Sequence, residues 1–338
     1  MRRPILAAFL APLLAFSQSA CVSGENAAPA GGVDKVSYLT AVGAFGRESY
    51  VWVAKEKGYF AEAGIDVEIL PGAGTTENLA LLAAGKAQFA ACDLSAVMVM
   101  LGGGDLRHAV RAVAAIQQRT LNSITTVSST GIAAPRDLSG RTIGGVAGGA
   151  PWLLFPAYAK LADVDAKRVT WVPTPAANLP KLLAAGKVDG VGLFVVARGS
   201  VEKVAGGRSV VVLPYSDVLT DLYGNALITS TKMLDGDPEL VRRFSTALLA
   251  GLAYAVDHPE EAGEILHKHV PAQDPAIAAD ELRLMRPYVR LDGRTGTFDP
   301  SRVARAIAIL YSTGLVKRAL VPDDVVSFEA AQAADGVR

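Results

Sequence analysis

The sequence predicts an α/β protein of two Rossmann-like lobes, joined by crossing strands and facing one another across a ligand cleft. Three observations carry this. Strand-like and helix-like segments alternate from Val36 onward, the alternation runs through twice, and one hexapeptide recurs at the same place in both runs.

In the first run, short alternating segments at 36–40, 66–70 and 88–92 read as strands, and helices are expected over about 49–63 and 76–84. The second run repeats this with strands at 141–145, 169–172 and 190–194 and helices over about 152–162 and 179–185. The hexapeptide Leu81-Leu82-Ala83-Ala84-Gly85-Lys86 returns 101 residues later as Leu182-Leu183-Ala184-Ala185-Gly186-Lys187. In both copies the Gly stands where the helix must end, because Gly enters the left-handed C-cap conformation without steric cost. Each unit is expected to build a parallel sheet with helices on both faces, and such sheets bind ligands beyond the carboxyl ends of their strands. Segments 123–127 and 225–229 are β-branched or apolar and read as the crossing strands. The first lobe is then 34–124 with 228–338, its helical remainder packing back on it, and the second lobe is 125–227.

The N-terminus sets the compartment. Arg2 and Arg3 precede an apolar run, 5–16, that is too short to span a bilayer, so residues 1–20 read as a signal peptide. Gln18-Ser19-Ala20-Cys21 resembles a bacterial lipobox, with Gln18 where the motif usually has Leu, and makes Cys21 the expected lipidation site. The small and polar residues of 21–33 form a flexible tether. No later stretch is long and apolar enough for a span, so the body is expected outside the cytoplasm, held to the membrane by lipid. Beyond residue 20 there are 31 basic against 33 acidic side chains, a net charge of −2, which gives no sign of nucleic acid binding. Cys92 is then the single remaining thiol, in an apolar strand, and reads as a core residue. With no internal disulfide available, the fold must rest on its core.

Several stretches in order, Trp52-Val53-Ala54-Lys55-Glu56-Lys57-Gly58-Tyr59-Phe60, Gly64-Ile65-Asp66-Val67, Leu82-Ala83-Ala84-Gly85-Lys86 and Asp137-Leu138-Ser139-Gly140-Arg141-Thr142-Ile143-Gly144, resemble the substrate-binding proteins of ABC importers in the nitrate, sulfonate, taurine and thiamine-pyrimidine-precursor group. The resemblance covers roughly residues 35–271 and implies a periplasmic binding protein type 2-like fold, a small-molecule ligand, a permease partner in the inner membrane, a monomeric receptor and no cofactor. It does not name the ligand, because the matching residues shape the scaffold.

Chemistry must therefore come from the loops. No hydrolase, zinc-protease or P-loop pattern is present, and His267 and His269 point to different sides of an outer helix, so no metal site is expected. Gly74 with Thr75, and Gly148 with Gly149, offer backbone N–H groups at helix N-termini. Phe45 and Trp152 lie in loops beyond strands and suit a planar ligand; Tyr50, Phe194 and Tyr223 are further aromatic candidates. Asp93 ends a strand and reads equally as a ligand carboxylate or as the N-cap of the next helix. Arg47 favours an anion such as nitrate or a sulfonate, whereas Glu48, Asp93, Phe45 and Trp152 favour a planar heterocycle such as a thiamine-pyrimidine precursor or a flavin. The latter is the preferred reading. An enzyme on this fold, resembling a pyrimidine synthase of the same group, is the alternative, but that enzyme depends on clustered Cys and on His near its site, which this chain lacks.

Overall fold

The duplicated alternation folds into two five-stranded sheets. The computed structural model describes residues 32–334 except 105, 107 and 292; the signal segment, Cys21 and nearly all of the tether lie outside the described residues. Strands β1 (Asp34–Leu39), β2 (Ile65–Leu70), β3 (Phe89–Asp93) and β4 (Val110–Ala115) belong to the first sheet. Strands β5 (Asn122–Val127), β6 (Thr142–Gly145), β7 (Thr170–Pro173), β8 (Gly190–Phe194) and β9 (Val210–Pro214) make the second, and β10 (Asn225–Ser230) returns to the first. The strand orders are β2-β1-β3-β10-β4 and β7-β6-β8-β5-β9, the same pattern twice.

The sheets are mixed, which corrects the expectation of purely parallel ones. β10 runs antiparallel to β3 and β4, and β5 runs antiparallel to β8 and β9. The reason is geometric: a strand that crosses from the other lobe enters its new sheet at the cleft end and must run away from it, against its neighbours. β4 and β9 escape sequence reading because Val110–Ala115 and Val210–Pro214 are short apolar runs without clean alternation.

The helix expected over 49–63 is two pieces, Tyr50–Glu56 and Tyr59–Glu62, because Gly58 takes a left-handed φ of 81° between them. The long helix Pro238–Asp257 returns to cover the first sheet. Its Phe244 ring stacks on Phe89 with centroids 4.1 Å apart and planes at 2°, and also meets Phe60 and Tyr38. In the second lobe Tyr158 stacks on Tyr215 at 4.3 Å, and the Tyr215 hydroxyl donates to the Pro151 carbonyl at 2.7 Å. Burying one such ring stabilises the fold by roughly 1.5–3 kcal/mol. Among the described residues, no helix is long and apolar enough to cross a membrane. The two outer-helix histidines have separate partners: His267 bonds the Gln273 carbonyl and His269 bonds Glu56.

Candidate functional site

Beyond the carboxyl end of β1 the chain turns through Phe45 into a short 3-10 turn, Gly46–Glu48. This turn presses on the helix Pro275–Val289: a Cβ built on Gly46 would lie 2.5 Å from the backbone of Ala278, so only Gly fits. The close approach brings Arg47 and Glu48 against Glu281 of that helix. The Arg47 backbone N–H donates to Glu281 Oε2 at 3.0 Å, and Arg47 Nη1 stands 3.6 Å from the same oxygen. Arg47 Nη2 donates to the Val42 carbonyl at 3.2 Å, and Nε lies 3.9 Å from Glu48 Oε1. All three side chains are buried. The guanidinium lies over two rings from opposite lobes, 4.6 Å from the Phe45 centroid and 4.5 Å from that of Phe194, at cation–π distance from both.

These groups form one wall of a cavity between the lobes. The first lobe contributes Val42, Phe45, Arg47 and Glu281, and the second contributes Gly149, Pro151, Leu179, Phe194 and Ser200, among others. The free space is about 40 Å³. On that measure one water needs roughly 10–15 Å³, so the cavity takes about three or four waters, around 100 Å³ of liquid volume.

Two carboxylates here face one guanidinium. Burial raises the pKa of both Glu48 and Glu281, and Arg47 opposes the rise in each. Glu48 Oε2 accepts from the Tyr50 hydroxyl at 3.1 Å and the Ala41 N–H at 3.4 Å, while its Oε1 and the Arg47 Nε have no hydrogen-bond partner. Ser200, from the second lobe, lines the same cavity. The cluster thus meets the second lobe at the Phe194 ring, and two of its polar atoms, Arg47 Nε and Glu48 Oε1, lack partners.

Of the residues singled out in the sequence, Phe45, Arg47, Gly149 and Phe194 line the cavity. The others stand elsewhere, each for a visible reason. Tyr50 is wholly buried in the first lobe, its hydroxyl 2.9 Å from that of Tyr38 and bonded to Glu48. Gly74, Thr75 and Gly148 lie where the two glycine loops meet: a Cβ on Gly74 would sit 3.7 Å from the Gly148 carbonyl, which accepts from the Thr76 hydroxyl at 3.2 Å. Gly74, Thr75 and Gly148 touch across the cleft, and of these two loops only the second, through Val146 and Gly149, lines the cavity. Trp152 stacks on Trp171, centroids 5.0 Å apart, within the second lobe. Tyr223 packs under the Arg302 guanidinium at 4.1 Å.

Asp93 belongs to the hinge. Its Oδ1 accepts the Ala96 N–H at 3.0 Å and caps the helix Leu94–Gly103, and its Oδ2 accepts Asn122 Nδ2 at 2.8 Å. Next to it, the Leu94 N–H donates to Gly224 and the Ser95 hydroxyl to the Tyr223 carbonyl. Both crossing segments are therefore tied to the start of one helix. Burial pushes the Asp93 carboxyl up to about 6 despite these bonds. Burial likewise pushes the Cys92 thiol well up, which leaves it a core residue.

Sequence reasoning missed Glu281 and Ser200. Glu281 is 234 residues from Arg47 on an ordinary-looking helix, and nothing local marks it.

The two lobes and the cavity between them have the architecture of the periplasmic binding protein fold, and solved structures agree at the level of the fold. The alkanesulfonate-binding protein SsuA from Xanthomonas axonopodis pv. citri superposes with a TM-score of 0.71 at 15% identity, covering 88% of this chain and 99% of that one. Residues 49–262 match the NMT1/THI5 like family, and the chain belongs to it. A formylaminopyrimidine-binding protein of Halalkalibacterium halodurans is 27% identical over 221 residues, and the riboflavin-binding protein RibY of Chloroflexus aurantiacus is 29% identical over 234. These matches cover 64% and 65% of this chain and 65% and 62% of the two relatives, just under two thirds of their length.

Proposed function

We propose that this chain is the substrate-binding protein of an ABC importer, exported and held at the membrane through Cys21, and that it captures a single-ring, nitrogen-bearing planar heterocycle between its lobes for delivery to a permease. The observation that carries the ligand class is the pairing of Arg47. Its charge is already matched by Glu48 and Glu281, so a nitrate or sulfonate entering the cavity meets no free cation on this wall. A flat ring instead finds a largely apolar wall that includes Phe45, Pro151, Leu179 and Phe194. Similarity to the formylaminopyrimidine-binding relative supports the same class. We read the chain as a binding protein and not as an enzyme: Cys92 is buried with its thiol pKa raised, and the cavity wall carries Phe, Leu, Gly and the paired cluster but no His.

A thermal-shift screen over aminopyrimidines, riboflavin, short sulfonates and nitrate tests the ligand class. At a hundredfold excess over Kd, a ligand that binds only the folded state stabilises it by ~2.7 kcal/mol, a shift of several degrees. An aminopyrimidine is expected to give that shift; a response to nitrate or a sulfonate alone would refute the reading. For the anchor, Cys21→Ser should move the protein out of the membrane fraction, and unchanged retention would exclude lipidation there.

A further inference from the structure

We propose that the cleft beside the hinge, between the two crossing segments and the loop that follows the helix Pro275–Val289, is a second ligand site, and that it takes a small organic carboxylate with a flat apolar body. It shares no lining residue with the interlobe cavity.

Both crossing segments reach this cleft. Gln118 comes from the segment between β4 and β5 and Tyr223 from the segment before β10, while Leu291, Arg294, Phe298 and Asp299 come from the loop. The free space is about 510 Å³. That falls within the roughly 300–1,000 Å³ of small-molecule clefts. The walls are tied to one another. Gln118 Nε2 donates to the Thr297 carbonyl at 3.0 Å, the Asp299 N–H donates to the Tyr223 hydroxyl at 3.1 Å, and the Phe298 ring meets Tyr223 edge-on with centroids 5.4 Å apart. A site held in place this way needs little ordering when a ligand enters.

The ligand class follows from charge. Residues 286–305 hold five arginines against two aspartates, Asp292 and Asp299. Asp257 serves Arg286 and Arg290 at 3.3 and 2.8 Å, and Asp221 serves Arg302 and Arg305 at 4.0 and 3.2 Å. With these two added, four acids face five arginines. The fifth, Arg294, lines the cleft, and its guanidinium has no hydrogen-bond or ion-pair partner among the described residues. Asp299 commits its Oδ1 to capping the helix Pro300–Ser312. Behind the wall, Arg302 lies 4.1 Å over the Tyr223 ring and bonds the Gln118 carbonyl, yet its Nη1 is buried without a partner. A carboxylate matches a free guanidinium through two parallel hydrogen bonds. Leu291 and Phe298 offer apolar surface to the body attached to it.

An occupant also bears on the joint. The Gly224 N–H donates to the Gln117 carbonyl at 3.2 Å and the Asn225 N–H to Gln117 Oε1 at 3.0 Å, so the crossing segments are bonded to each other directly beside the cleft walls. Filling the cleft stiffens the place about which the lobes close.

The test is calorimetric titration of the full chain with indole-3-acetate and with the uncharged indole-3-acetamide, for wild type, Arg294→Gln and Arg294→Lys, together with hydrogen exchange of wild type with and without indole-3-acetate. Wild type should favour the acetate. Arg294→Gln should weaken it roughly 10- to 100-fold, the loss of one charge-assisted pair, and leave the two compounds nearly equal. Arg294→Lys should keep the preference at reduced strength. Bound acetate should slow exchange in segments 117–120 and 294–299. Any of three results would overturn the proposal: no binding of indole-3-acetate to wild type at millimolar concentration, an acetate-to-acetamide ratio unchanged in Arg294→Gln, or protection confined to the interlobe wall at 42–47 and 192–200.

Discussion

The last residue of β3 and the last residue of β8 stand at matched places in the two lobes. Asp93 pairs with Asn225, the first residue of β10, and Phe194 pairs with Asn122, the first residue of β5. The backbone around them is the same device used twice: a strand ends at the cleft and the incoming crossing strand begins beside it. The side chains do opposite things. Asp93 turns into the hinge, where it caps a helix and holds Asn122, while Phe194 faces the cavity with Arg47 over its ring. After β3 the helix Leu94–Gly103 starts at once and uses the carboxylate as its cap; after β8 comes the short turn Val195–Ala197, which needs none. Duplication preserved the scaffold, and the residue at the strand's end decided whether that position became joint or wall.

The contrast breaks most visibly at the wall. Phe194→Ala should weaken ligand binding by roughly ten- to a thousandfold, as expected for an aromatic at the centre of a closed site. Trp152→Ala, which removes a ring stacked away from the cavity, should leave affinity within a few-fold of wild type. Titration of both variants with the ligand found by the screen checks this, and equal losses would show that the wall is drawn wrongly.

At the joint the effect should fall on stability instead. Asp93→Ala removes one of the two acceptors of the Asn122 amide and the cap of the Leu94–Gly103 helix, which costs about 1–3 kcal/mol. Urea unfolding should register this, with little direct change in ligand contacts. A loss of affinity out of proportion to the loss of stability would return Asp93 to the binding site.

The same point is sharpened through pH. The folded-state pKa of Asp93 lies near 6, above the ordinary aspartate value of 3.8, so the folded protein binds this proton more tightly than the unfolded chain does. Its contribution is therefore most favourable below about pH 4 and is lost as pH rises through about 6, by ~3 kcal/mol at most. Asp93→Asn keeps a cap and cannot ionise. Its stability relative to wild type should increase between about pH 4 and pH 7, and a difference that stays flat with pH would show that the buried carboxyl is not strained by ionisation.

Much of this molecule was legible within short windows of sequence. The hexapeptide repeat located equivalent helix ends, the alternation located most of the strands, and β8 falls at 190–194 as read. Phe45, Arg47, Gly149 and Phe194 could be nominated because residues beyond parallel strands of such sheets face a cleft. These features depend on φ/ψ preference, on periods of 2 or 3.6 residues and on position along a strand, all of which a few neighbouring residues encode. The rest was decided by contacts between distant parts. Asp93 offered two roles, and the hinge partner Asn122, on the strand that crosses to the other lobe, selected one. The glycine loops offered inward N–H groups, but closing the lobes set them against each other. Glu281 became part of the wall because Gly46 lets a turn near residue 47 lie directly on a helix more than two hundred residues later. A carboxylate acquires meaning from what its burial brings beside it, and that is a property of the packed structure.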